Sequence, residues 1–150
     1  MSKVLNDSFE INITGSGIYP VKEHSNYSKE SKCYKIYIVK NDNSILYVGI
    51  TKQTISTRFS SAFRAYLNKL KTGQSDRTGY SGYKWIGNHN KSVLKVIVFP
   101  FFDYISKEDK EYIEAIEAEV VFLIRKETDQ WPLSQHEIHF HNNTTAKVKA

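Results

Sequence analysis

Cys33-Tyr34-Lys35-Ile36-Tyr37-Ile38-Val39-Lys40-Asn41-Asp42-Asn43-Ser44-Ile45-Leu46-Tyr47-Val48-Gly49 holds two runs of β-branched and aromatic residues joined by a polar stretch. Runs of that composition form strands, and Asn/Asp/Ser between them reverses the chain, so the segment predicts a β-hairpin. Right after it, between Thr54 and Leu70, Ile55, Phe59, Phe63, Tyr66, Leu67 and Leu70 recur at three- and four-residue spacing, the mark of an amphipathic helix. Thr51 and Thr54 are both suited to cap its start. Arg58 follows Ile55 by three positions and precedes Phe59 by one, which puts it at the border of the apolar stripe, in reach of the sheet.

Register decides where the hairpin sends its two tyrosines, because directly opposed residues share a face and a one-residue slip flips a whole strand. A four-residue loop at 41–44 pairs Lys40 with Ile45, sets Tyr37 against Val48 and sends Tyr47 to the other face. A three-residue loop, Asn41-Asp42-Asn43, pairs Lys40 with Ser44 and sets Tyr37 directly across from Tyr47. Asparagine tolerates the left-handed conformation that such a loop needs at Asn43, so the second register is the expectation. Two phenols side by side, with an arginine arriving from the next helix, can hold and orient one phosphodiester. A shared face demands an odd-length loop or a bulge between Asn41 and Ser44.

The rest of the chain supplies fewer signals. The first thirty or so residues read as an irregular lead-in with one short alternation, Phe9 to Ile13, that suits an edge strand. Residues 72–82 contain three glycines and no apolar period, a loop leading to the aromatic segment Tyr83-Lys84-Trp85-Ile86. Val93 to Phe99 reads as a strand. Ser106-Lys107-Glu108-Asp109 has the serine-to-acid spacing of a helix start, and Ile113, Ile116, Val120, Leu123 and Ile124 keep helical period up to Trp131-Pro132. Glu137 to His141 alternates like a short terminal strand. The expected architecture is α/β of the α+β type: a small, mostly antiparallel three-stranded sheet flanked by helices, one domain over 1–150 with its core at about 33–132.

With 150 residues the chain is long enough to bury a core without disulfides or metals. Its lone cysteine, Cys33, has no intramolecular partner and reads as packed in the sheet, so a cytoplasmic location is expected. No apolar run approaches a membrane span and no basic-then-apolar amino terminus is present, so neither a membrane nor a secretory signal is expected. A net charge of +5 and ten tyrosines make nucleic acid a reasonable partner, although charge alone also describes an ordinary basic surface. Around Gly73 to Tyr83, Arg77, Tyr80, Lys84 and Trp85 mix positive charge with rings, as a surface touching phosphates and bases would, or as any exposed loop would. His136, Glu137, His139 and His141 invite a metal reading, but no cysteine lies near to complete a zinc set and a polar terminal strand explains them.

On these residues the chain resembles the GIY-YIG nuclease family over roughly 33–132. Lys35-Ile36-Tyr37 matches its first motif, Tyr47-Val48-Gly49 its second, Arg58 its helix arginine, and Glu117 in Ile116-Glu117-Ala118-Glu119-Val120-Val121 its acidic residue, with Glu119 in reserve. The literal Gly17-Ile18-Tyr19 is a decoy, 28 residues before Tyr47 and followed at once by Pro20. The resemblance implies a DNA endonuclease that hydrolyses a phosphodiester with a divalent cation, restriction-like or of mobile-element type. Glu117 would hold one ion, Mg2+ by the preference of hard oxygen, and Arg58 would offset charge on the phosphoryl oxygens. Tyr47 or Tyr37 would position, and with a cation nearby deprotonate, the attacking water. Lys35 stands where the family has glycine, Ala62 where members often carry histidine, and a late asparagine maps to Asn142 or Asn143. Lys35, Lys52, Arg64, Arg77 and Lys84 are the cations expected to meet DNA, and a homodimer would cut both strands. A DNA-binding protein of the same fold without cleavage, and a plain interaction module, compete with this reading.

Overall fold

The computed structural model describes residues 6–13, 17–20, 32–72, 84–87 and 93–132. Strands β1 (Asp7–Ile13), β2 (Ile18–Pro20), β3 (Tyr34–Lys40), β4 (Ile45–Thr51) and β5 (Val93–Phe101) form one sheet in the order β2-β1-β5-β3-β4. Every pairing is antiparallel. The helices are α1 (Ile55–Thr72), the single turn α2 (Lys84–Gly87) and α3 (Lys110–Thr128), the last entered through a 3-10 turn at Lys107–Asp109. None of the described helices is long and apolar enough to cross a membrane.

The sheet is larger than the three strands expected from the sequence. Phe9 to Ile13 belongs to an interior strand paired with both β2 and β5, so the described parts of the lead-in, Asp7–Ile13 and Ile18–Pro20, are strands of the sheet. Phe9, Ile11 and Ile13 are buried while Ser8 and Glu10 are exposed, so a strict alternation marked β1 in a stretch otherwise polar. The decoy tripeptide leads into β2, where Ile18 pairs with Ile13 and Pro20 lies opposite Ile11 on the sheet edge, the place a strand tolerates proline. The opposite edge is β4, the strand of Tyr47.

Both sheet faces carry a core. On one, Phe9, Ile11, Tyr37, Val39, Leu46, Leu94, Val96 and Val98 pack with Ile55, Phe59, Ala62 and Phe63 of α1 and with Trp85 and Ile86 of α2. On the other, Tyr34, Ile36 and Val48 pack with Ile113 and Val121 of α3. The sheet therefore lies between an α1 layer and an α3 layer. Leu67 and Leu70, placed in the buried stripe of α1 by their spacing, are 43% and 65% exposed. The buried side of α1 instead runs through Ala62, Phe63 and Ala65, with Tyr66 packed at its edge.

Helix entry follows the caps. The Thr54 hydroxyl accepts the Thr57 backbone N–H at 3.2 Å, while Thr51 closes a turn by accepting the Gln53 N–H at 3.0 Å. Ahead of α3, the Ser106 N–H donates to the Asp109 carboxylate at 3.0 Å. Asp129 ends α3 in the left-handed conformation, φ 61°, with its N–H on the Arg125 carbonyl. Thr54→Ala should lower stability by about 1 kcal/mol, the usual value of such a cap, whereas Thr51→Ala should cost less. Chemical denaturation of both variants checks the ordering.

Candidate active site

The hairpin adopts neither of the two simple registers. At its tip Lys40 pairs with Ile45, which the expected three-residue loop excludes. The Asn41 side-chain carbonyl accepts the N–H groups of Asn43 and Ser44 at 2.9 and 2.7 Å, and the Asn41 N–H donates to the Ser44 carbonyl. This Asx-type turn closes a four-residue loop with no left-handed residue, since Asp129 alone among the described non-glycine residues has positive φ. One step further the register shifts: Val39 pairs with Tyr47, and Leu46 is an extra residue, a β-bulge.

The bulge restores what the tip would have lost. Leu46 and Tyr47 both face the α1 layer, while Ile45 and Val48 face α3. Beyond the bulge Tyr37 pairs with Gly49, so Tyr37 and Tyr47 share a face as diagonal neighbours rather than opposite each other. Their ring centroids are 6.1 Å apart at 45°. The tyrosine pair expected from the sequence is present, in a register corrected by two residues.

Gly49 makes that arrangement fit. A Cβ built on it would lie 2.5 Å from both Cζ and the hydroxyl oxygen of Tyr37 and 2.8 Å from Cε2 of Tyr47. The Tyr37 ring thus lies across the bare backbone of the neighbouring strand. It is held there from the other side by Phe59, edge-on at 5.6 Å, which in turn meets Trp85 at 5.4 Å. The Nε–H of Arg58 donates to the Tyr37 hydroxyl at 3.3 Å. Phe59 and Arg58 are successive on α1, so one helix turn both buries the ring and orients the guanidinium beside its oxygen. Tyr37 is 2% exposed and Tyr47 half-buried, so Tyr47 is the phenol nearer solvent.

Lys35 is not a surface cation. It is fully buried, and its ammonium donates to the backbone carbonyls of Cys33 and Lys52, each at 3.2 Å. A buried ammonium demands such partners. It ties the residue before β3 to the residue after β4, at the connection that delivers Arg58, and takes a positioning role in place of the expected contact with DNA. Lys52 sits over the Tyr34 ring, 5.6 Å from its centroid, and Arg64 is exposed on α1 with its guanidinium 3.4 Å from the Ser61 hydroxyl. Trp85, expected at a surface, is 1% exposed and belongs to the core. Arg77, Tyr80, His136, Glu137, His139, His141, Asn142, Asn143 and the side chain of Lys84 lie outside the described residues.

Glu117 and Glu119 are clearly distinguished by burial. Glu119 is exposed, whereas Glu117 is 2% exposed in the stripe of Ile113 and Val121. Carboxylates are seldom buried, and Glu117 is the buried one of α3. It belongs, however, to the α3 layer, across β3 and β4 from the tyrosine pair. No three His, Cys, Asp or Glu side chains cluster as a metal site among the described residues. One hard carboxylate is still a donor set that magnesium accepts, because that ion keeps several waters and takes further oxygens from a substrate phosphate.

Charge divides the two helical layers. Arg58, Arg64, Lys69 and Lys71 are the charged residues of α1, and none is acidic. From Lys107 to Thr128, four basic residues (Lys107, Lys110, Arg125, Lys126) face seven acidic ones (Glu108, Asp109, Glu111, Glu114, Glu117, Glu119, Glu127). The sheet senses the acidic side: burial, then the charges of Asp109 and Glu114, hold the Tyr34 phenol above the ordinary tyrosine range.

No family model and no curated protein matches the chain. Among solved structures, the restriction endonuclease HPY188I in complex with product DNA aligns with 90% of this chain and 80% of its own, at 13% identity and a TM-score of 0.47. That overlap is too loose to transfer any residue's role.

Gly49→Ala must push the Tyr37 ring off its seat and with it the partner of Arg58. A loss of about 1–3 kcal/mol in stability is expected, as for other overpacked sites. Denaturation, together with the near-ultraviolet circular dichroism of the tyrosines, checks it; a variant as stable as the native chain with an unchanged spectrum would show that the ring does not lie on Gly49.

Proposed function

We propose that this chain is a DNA endonuclease of the GIY-YIG family, hydrolysing a phosphodiester bond with the help of a divalent cation. The observation that carries the reading is the cluster of Tyr37, Tyr47 and Arg58, on one sheet face over Gly49. Two phenols and an oriented guanidinium suit a phosphodiester: arginine recognises phosphate oxygens through a fixed fork of donors. Arg58 offsets charge as it builds on those oxygens, and its bond to Tyr37 fixes the direction from which it does so. Tyr47, the more exposed phenol, positions the water; Tyr37 supports the ring pair and the arginine. Glu117 would hold the cation, which when bound supplies Lewis-acid charge and lowers the pKa of water.

A DNA-binding protein of the same fold without cleavage is the second reading, and one observation favours it. Glu117 is buried in the layer opposite the tyrosines, whereas hydrolysis needs the cation near the same phosphate.

Plasmid nicking in magnesium separates the two. The native chain should nick, with Arg58→Ala and Glu117→Gln each slower by on the order of a hundredfold or more and Tyr47→Phe at least as impaired. Glu119→Gln should cut like the native chain. Native protein that binds DNA tightly from several sources yet never nicks it establishes the binding-only reading.

Chelation is a further check. Excess EDTA should abolish nicking and added magnesium restore it, while DNA binding through arginine and lysine persists in EDTA. Undiminished nicking in EDTA would remove Glu117 from any metal role.

A further inference from the structure

We infer that the solvent face of α1, from Thr57 to Lys71, is the track along which a duplex DNA backbone lies, and that the outer face of α3 points away from DNA. The inference rests on the DNA reading above and adds the path the DNA takes.

Helical geometry places Thr57, Ser60, Ser61, Arg64, Asn68 and Lys71 on one side of α1, opposite the buried Ile55, Phe59 and Ala62. Arg64 and Lys71 are exposed, as are Thr57 and Ser60. Hydroxyls, amides, arginine and lysine are the side chains that supply most contacts to phosphate and sugar oxygens. No carboxylate interrupts them on this helix. At 1.5 Å per residue, Thr57 to Lys71 spans about 21 Å, which is the length of about six base-pair steps.

Continuity with the candidate site gives the track its direction. Arg58 lies on the flank of the same helix, beside the small residues Ala62 and Ala65, and bonds Tyr37. The Arg64 guanidinium leans back over Ser61, toward the Arg58 end. A strand whose phosphate sits at Arg58 therefore meets Arg64 and then Lys71 farther along. The other layer offers the opposite field, with seven acidic residues against four basic ones over 107–128. A polyanion is drawn to α1 and repelled from α3.

The test is the salt dependence of binding to a fluorescein-labelled duplex without magnesium. It compares the native chain, Arg64→Gln with Lys71→Gln, and Lys110→Gln with Lys126→Gln as a charge-matched pair on α3. Each lost phosphate contact removes about 0.9 from the slope of log affinity against log salt. The α1 pair should lower that slope by between about one and two and weaken binding about tenfold or more at low salt. The α3 pair should leave the slope unchanged and weaken binding only slightly, through the lower net charge. An unchanged slope for the α1 pair, or an equal drop for the α3 pair, overturns the track while leaving nicking by the native chain, and so the nuclease reading, intact. A native chain with no salt-sensitive binding overturns both. All four residues are exposed, so folding is not at stake.

Discussion

The Tyr37 ring occupies the space a side chain at position 49 would need, and the candidate site is built outward from that contact. Because Gly49 offers only backbone, the ring lies flat across the neighbouring strand, where Phe59 closes over it and Arg58 reaches its hydroxyl. The contact requires Tyr37 to pair with Gly49, and the four-residue Asx turn at the hairpin tip would by itself pair Tyr37 with Val48. The Leu46 bulge absorbs the difference. A bulge is a local irregularity with a global effect here: it turns both Leu46 and Tyr47 to the α1 layer and returns Val48 to the α3 core.

The fold then separates two kinds of chemistry. On the α1 layer a basic, hydroxyl-rich helix follows directly from the strand that holds Tyr47, and the buried Lys35 ammonium fastens the turn between them. On the α3 layer an acidic helix keeps one carboxylate, Glu117, at the centre of its apolar stripe. A carboxylate at such a place needs polar partners, and the sheet lies between it and the tyrosine pair.

Much of this was legible in the sequence because the signals were periodic. The hairpin, α1 and α3 follow from alternation and three-four spacing, and Glu117, four residues from both Ile113 and Val121, shares their helix face where Glu119 does not. The strands β1 and β2 were underestimated because a short alternation such as Phe9 to Ile13 gains most of its stability from long-range pairing, which local pattern does not display. The register was missed for a related reason. Asn41 satisfies the turn with its own side chain, an option that counting loop residues does not reveal, and a bulge leaves no compositional mark in the unbroken apolar run Ile45-Leu46-Tyr47-Val48. Lys35 and Trp85 read as surface groups by type and prove to be interior by context, one satisfied by two carbonyls and the other packed on Phe59.

The shared face of Tyr37 and Tyr47, set by the Leu46 bulge, is the claim on which the functional reading stands, and nuclear Overhauser contacts of the Tyr37 ring test it most directly. Contacts from that ring to the Gly49 α-protons and the Tyr47 ring, with the Gly49 α-protons shifted upfield by the ring current, are the predicted result. Contacts from the Tyr37 ring to the methyl groups of Ile113 or Val121 on α3 would place it on the other face and contradict the account.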